Sequence, residues 1–193
     1  MPPKAKFTKE QITETGLNLV QEQGADKLTA RALGNALGSS SCPIFTVFEN
    51  MKEVKDAVIQ AARAIYKEYI NRGLTETPAF KGVGTQYILF SINEPNLFRL
   101  LFMTGRDMVP DFNGILPMID ESYERILASI VTGYGIERNA ANRLYRHLWI
   151  YTHGIATLCV SKICSFTPEE ISGMMTEVFI SLLKNIKEEQ KND

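Results

Sequence analysis

Apolar side chains recur along the chain at intervals of three and four residues, and no segment sustains the two-residue alternation of a strand, so the pattern predicts an all-α fold. Thr8 with Gln11 makes a capping box, Phe7 and Ile12 make a hydrophobic staple, and Ile12, Gly16, Leu19 and Val20 share one face of a first helix that Gly24 ends. Thr29 is placed to cap a short second helix, with Leu28 and Leu33 as its staple and Ala32, Leu33, Ala36 and Leu37 on one side, until Gly38 stops it. Ser39, Ser40 and Ser41 then offer a turn and a fresh cap for another short helix, with Pro43 in its first turn and Ile44, Val47 and Phe48 facing inward. From Asn50, which has Glu53 at capping-box spacing, Val54, Val58, Ala61, Ile65 and Tyr69 recur at helical intervals. That helix is roughly twenty residues, or about 30 Å, long and can serve two parts of the molecule.

Beyond the break at Thr75 to Pro78, Phe80, Val83, Tyr87 and Phe90 form one helical face, and Pro95 opens a short apolar helix with Leu97, Phe98, Leu101 and Phe102. Residues 105–114 read as a loop. Leu116, Ile119, Tyr123, Ile126 and Ile130 predict a single helix closed by Gly133 to Gly135, followed by a long helix over about residues 137–163. Thr167, Pro168 and Glu170 supply cap, first-turn proline and capping-box carboxylate for a last helix. Leu144, Leu148, Tyr151, Ile155 and Leu158 lie beside a second stripe of Tyr145, Trp149, His153 and Ala156. On the last helix the apolar set from Ile171 to Ile186 covers well over a third of the circumference. That is more surface than one core contact needs. Two such helices from each of two subunits would form a four-helix bundle about a two-fold axis, with Leu148, Ile155, Met174, Val178 and Leu182 in the seam. Burial of the whole surface inside one chain is the alternative.

The two short helices joined by a Gly-containing turn have the shape of a helix-turn-helix, whose second helix meets base edges in the DNA major groove. A helix precedes the pair and a long one follows. In this order, the run from Leu28-Thr29 to Gly38 and the spacing Ile44-Phe45-x-x-Phe48 resemble the tetracycline-repressor family of bacterial transcriptional regulators over residues 7–58. Trp149-x-x-x-His153-Gly154 resembles a Trp-x-x-x-His-Gly signature in one C-terminal domain type of that family, loosely covering residues 79–185. The resemblance implies a three-helix DNA-binding bundle with a helix-turn-helix over residues 1–51 and a ligand-binding and dimerisation domain over 52–193. It implies a homodimer on operator DNA, probing it with Ser40, Ser41, Cys42, Pro43, Phe45 and Thr46. Thr29 and Arg31 match family positions that touch phosphate or a base. The family often has a phosphate-binding lysine where this chain has Met51, and here the cation has moved to Lys52.

Charge tempers that expectation. Residues 1–51 carry five basic side chains (Lys4, Lys6, Lys9, Lys27, Arg31) against five acidic ones (Glu10, Glu14, Glu22, Asp26, Glu49), so no electrostatic footprint for nucleic acid stands out. A ligand-binding or scaffold protein of the same fold that leaves DNA alone is therefore the rival reading. Lys4 or Lys6 of the N-terminal arm could still approach phosphate. The 193 residues, 45% hydrophobic and 22% charged, are those of a globular protein without a membrane partner, expected in the cytoplasm.

Aromatic and flexible residues gather in five stretches: Tyr87 and Phe90; Phe98, Phe102 and Met103; Met108 and Phe112; Tyr123; Trp149 and His153. Drawn around one centre they would line a pocket for a small lipophilic effector, oriented by His153 or a tyrosine hydroxyl; the alternative is a filled core. Trp149 and His153 share a face, and Gly154 would let a neighbouring helix approach. Catalysis has little support and no cofactor is expected. The two histidines, His147 and His153, sit on one helix, and no nucleophile elbow or phosphate loop occurs. Cys42, Cys159 and Cys164 form no C-x-x-C pair, so neither a zinc site nor a disulfide framework is expected. Arg143, Arg146, Asp120, Glu121 and Glu124 read as solvated faces.

Overall fold

A computed structural model describes residues 6–105, 110–112 and 114–192. Those residues are all-α, with no strand among them. The helices are α1 (Lys9–Gln23), α2 (Ala30–Ala36), α3 (Met51–Thr75), α4 (Ala79–Asn93), α5 (Pro95–Phe98), α6 (Ile115–Ile119), α7 (Tyr123–Tyr134), α8 (Arg138–Val160) and α9 (Pro168–Asn192). Short 3₁₀ turns occupy Ala25–Lys27 and Cys42–Thr46, and a π turn occupies Arg99–Met103. None of the helices, among the described residues, is long and apolar enough to cross a membrane.

The chain divides into two compact units, residues 1–66 with 94–105, and residues 67–93 with 106–193. In the first, α1 packs on α2 and α5. Its start is fixed as the sequence predicts: the Gln11 amide donates to Thr8 Oγ1 at 3.2 Å and the Thr8 amide donates to Gln11 Oε1 at 2.9 Å. Its end is held from outside, because the Asn96 side chain donates to the Gln21 carbonyl (2.8 Å) and the Gln21 amide group donates to Glu94 (2.9 Å). The bond from Asn96 satisfies a carbonyl that a helix C-terminus cannot satisfy by itself. Phe98 and Phe102 belong to this unit, their rings 5.1 Å apart, and Tyr66 stands edge-on to Phe102.

Thr29 caps α2 by accepting from the Ala32 amide at 3.2 Å, and Gly38 takes φ +63° beyond its end. A Cβ on Gly34 would lie 2.9 Å from the Ser40 carbonyl carbon and 3.0 Å from the Ser41 nitrogen. The backbone after the turn therefore lies directly across α2. The segment expected as another short helix is a five-residue 3₁₀ turn from Cys42 to Thr46. Proline near its start removes a donor, and the Thr46 hydroxyl donates to the Pro43 carbonyl (2.7 Å), both favouring a short turn over a lengthening helix. Ile44 and Phe48 are buried beneath it.

In the second unit α8 packs against α4, α7 and α9. Near the corner between α3 and α4, a Cβ on Gly73 would meet Gly82 and Val83 backbone at 2.7 Å, so the two helices touch with no side chain between them. The single helix expected from Leu116 to Ile130 is two, broken at Asp120 to Ser122. The Asp120 carboxylate accepts from the Ser122 amide at 2.7 Å, a local turn that competes with helix. The stripe expected on α3 also shifts: Val54, Val58, Ala62, Tyr66 and Ile70 are buried, while Ala61, Ile65 and Tyr69 are only half-buried.

Gly34→Ala should cost about 1–3 kcal/mol, because the new methyl meets backbone rather than a side chain that can turn away. Urea unfolding checks it, and a variant as stable as the parent would contradict the contact across α2.

Candidate functional site

Two sets of residues are candidates, one in each unit. In the first unit Thr29, Arg31, Ser40, Cys42, Phe45 and Thr46 are exposed, and Ser41 and Pro43 are half-buried. The ring of Phe45, at 44% exposure, stands out beside the buried Ile44 and Phe48. Arg31 makes no hydrogen bond or ion pair among the described residues, so its guanidinium is available. Other cations nearby are engaged. Lys9 pairs with Glu53 at 2.6 Å and lies over the Phe48 ring, and Lys52 pairs with Asp56 at 2.9 Å. The hydrogen bond from Lys9, then that from the Glu49 amide, holds the Glu53 carboxyl below its ordinary value. Lys6 donates to Ser39 Oγ at 3.1 Å, which ties the N-terminal arm to the turn after α2. Lys4 lies outside the described residues.

The second set centres on the face where α4 meets α8. Tyr87 is buried, and its hydroxyl lies 2.9 Å from His153 Nδ1. One turn earlier on α8, Trp149 stacks on the His153 ring, with centroids 5.0 Å apart and planes at 17°. Burial holds the Tyr87 hydroxyl well above the ordinary phenol value, the Asp120 carboxylate adds to this, and a hydrogen bond from Trp149 opposes it. An indole nitrogen only donates, so the Tyr87 oxygen accepts from Trp149, and which of Tyr87 and His153 donates in their own bond depends on the imidazole tautomer. Burial lowers the His153 pKa, which favours a neutral imidazole.

Asp120 ties a second group of rings to the first. Only 5% exposed, it raises Tyr145 as well as Tyr87, although burial is the larger cause in both. Tyr145 stacks on Tyr123 (6.1 Å, 15°) and meets Phe80 edge-on (5.6 Å), while the Tyr123 hydroxyl donates to Asn142 at 3.1 Å. Reading Asp120 with Glu121 and Glu124 as a solvated face is thus corrected, since only the latter two are exposed. A carboxylate just ahead of Ser122 at a helix start was the available signal. Arg146 is likewise no free surface cation: it is half-buried, with its guanidinium 4.8 Å from the centre of the Phe112 ring. Arg143 pairs with Glu189.

The aromatic residues expected around one centre are divided. Tyr87, Trp149 and His153 meet directly, whereas Tyr123 stacks on Tyr145, whose hydroxyl senses the Tyr87 and Asp120 charges. Phe90 is fully buried against Tyr69, and Phe112 is 52% exposed. Phe98, Phe102 and Met103 are part of the first unit, and Met108 lies outside the described residues. Gly154 is corrected too: it is exposed and a Cβ there would meet nothing within 4 Å, so no helix among the described residues approaches it. Of the seam residues, Leu148 and Ile155 are 2% and 3% exposed and have no surface left for a second chain. Facing the same way as Leu144 and Thr152, they belong to the unit's own core. Met174, Val178 and Leu182 are half-buried.

Stability should fall as the solution is acidified from about pH 7 to about pH 5. His153 is depressed below its unfolded value of about 6.5, so the unfolded chain takes up the proton first and the stabilisation present at neutral pH is lost. Unfolding midpoints across that range should fall less in His153→Gln; an equal fall in both proteins would remove His153 as the cause. Gly154→Ala should stabilise by roughly 0.5–1 kcal/mol, as alanine does in an open helix position, and a loss of stability would show that the position is crowded.

No protein-family model matches the chain, and a search of curated proteins likewise returns no match.

Proposed function

We propose that the chain is a DNA-binding transcriptional regulator of the tetracycline-repressor type, a homodimeric repressor that leaves its operator when a small lipophilic effector binds. The observation that carries this reading is the division of residues 28–48. Leu28, Leu33, Ile44 and Phe48 are buried, whereas Thr29, Arg31, Ser40, Cys42, Phe45 and Thr46 face solvent. In this reading α1, α2 and Cys42–Thr46 form a three-helix bundle with a helix-turn-helix. Short polar residues there approach base edges and Arg31 pairs in two places with guanine. Lys6, held at Ser39, brings a cation to the same side.

The effector reading draws on the Trp149, His153 and Tyr87 cluster, an aromatic wall with few polar groups that suits an apolar or aromatic compound. Pairing of two chains draws on α9, where Met174, Val178 and Leu182 lie four residues apart and each keeps part of its apolar surface. A two-fold axis would set two hairpins ~34 Å apart, the spacing of successive major grooves. An effector lowers operator affinity only by the difference in its affinity for the two states.

The rival, a protein of this fold that binds ligand but not DNA, is favoured by the pairing of Lys9 with Glu53 and Lys52 with Asp56, which leaves few free cations. Gel-shift titration on DNA flanking the gene, repeated over a salt series, separates the two: a regulator binds more weakly as salt rises. Arg31→Ala should lose about 1–3 kcal/mol of operator affinity and relax specificity at one base pair; unchanged binding to every operator variant would remove Arg31 from the interface. Val178→Glu should give monomers that no longer bind operator, and a mutant that stays dimeric would exclude that position from the seam.

A further inference from the structure

The Schellman geometry that ends α8 brings two of the three cysteines together. Lys162 takes φ +57°, its amide donates to the Cys159 carbonyl (3.1 Å), and the Ile163 amide donates to the Leu158 carbonyl (3.2 Å). The Cys164 amide also points to the Leu158 oxygen, at 3.5 Å. In an extended chain residues five apart would be separated by about 17 Å. Here the reversal at Lys162 returns Cys164 to the helical turn that holds Cys159. A disulfide spans Cα atoms about 4.4–6.8 Å apart, so residues five positions apart can close one only where the chain folds back, as it does here.

We propose that Cys159 and Cys164 are a reversible thiol–disulfide pair, closed by hydrogen peroxide at the C-terminal end of α8. The two sulfurs differ as such a pair requires. Cys164 is exposed and meets the oxidant, while Cys159 is half-buried. Burial, and then the neighbouring charge of Cys164, push the Cys159 thiol above its ordinary value. The Cys164 thiolate attacks one peroxide oxygen; the O–O bond breaks, an S–O bond forms, and hydroxide leaves and is protonated to water. Conversion to the sulfenic acid removes the Cys164 charge that opposed ionisation of Cys159. The Cys159 sulfur then attacks the sulfenic sulfur, the S–S bond forms, and hydroxide leaves with the Cys159 proton as a second water. Two thiols lose two electrons and peroxide gains them. Cys42, exposed in the first unit, has no such partner in this geometry and serves as an internal control.

The full chain offers a direct readout, because trypsin cuts after Lys162, between the two cysteines. After peroxide treatment, blocking of remaining thiols and digestion without reductant, peptides 147–162 and 163–184 should be joined and lighter by two hydrogens, with Cys42 still blocked. Dithiothreitol should separate them. Cys164→Ser should abolish the join and leave Cys159 free to be blocked. In Lys162→Gly and Lys162→Val trypsin leaves 147–184 as one peptide, and closure is read as its loss of two hydrogens with both cysteines protected from blocking. Lys162→Gly should close at the parent rate, whereas Lys162→Val, whose branched side chain resists positive φ, should close several-fold more slowly. Three outcomes would overturn the proposal: Cys164 carried to higher oxides with Cys159 still free, linkage only between two chains, or closure in Lys162→Val as fast as in the parent.

Discussion

One helix has to be buried by two different sets of neighbours, and much else in the molecule follows from that constraint. α3 belongs to the first unit up to Tyr66 and to the second from Lys67. Its buried positions, Val54, Val58, Ala62, Tyr66 and Ile70, advance in steps of four. At 3.6 residues per turn each step rotates the inward face by about 40°, so from Val54 to Ile70 it turns through about 160°. Glycine is used at crowded points on both portions: Gly16 of α1 sits where a Cβ would be 2.9 Å from Val58, and Gly73 lies against the backbone of Gly82.

The most legible parts of the fold were those decided by neighbours in sequence. The capping box of Thr8 and Gln11 and that of Thr167 and Glu170, whose paired bonds measure 2.8 and 3.2 Å, are local contests between a side chain and water for a few amides. What escaped depends on partners distant in sequence. The rotating face of α3 cannot be read from a fixed heptad-like stripe, and the placing of Leu148 and Ile155 inside the core depends on which side of α8 meets α4. Asp120 escaped because a carboxylate followed by two more acidic residues has the composition of a wet surface; its burial depends on the turn it makes with Ser122.

The aromatic groupings follow the same rule. Helical spacing was enough to put Trp149 and His153 on one face, but residue type placed Tyr87 beside them only as one of ten residues expected around a single centre. Tyr145 and Asn142, which complete the polar interior around Tyr123, stood among ordinary helical stripes and carried no separate signal. Residue type could not sort Phe98 and Phe102 from the others either. Their place in the first unit follows from the return of residues 94–105, held by Asn96 at the end of α1.

That return makes the first unit discontinuous. Its last piece is translated after the whole of α4, so during synthesis α1 and α2 wait for residues 94–105 before the Gln21 carbonyl gains Asn96 and Phe102 gains Tyr66. A fragment ending within α3 would carry α1 and α2 yet leave uncovered the surface of α1 that packs on α5. The N-terminal unit is therefore an assembly of two chain segments, and dissection by simple truncation would yield an uncovered helix rather than a smaller domain.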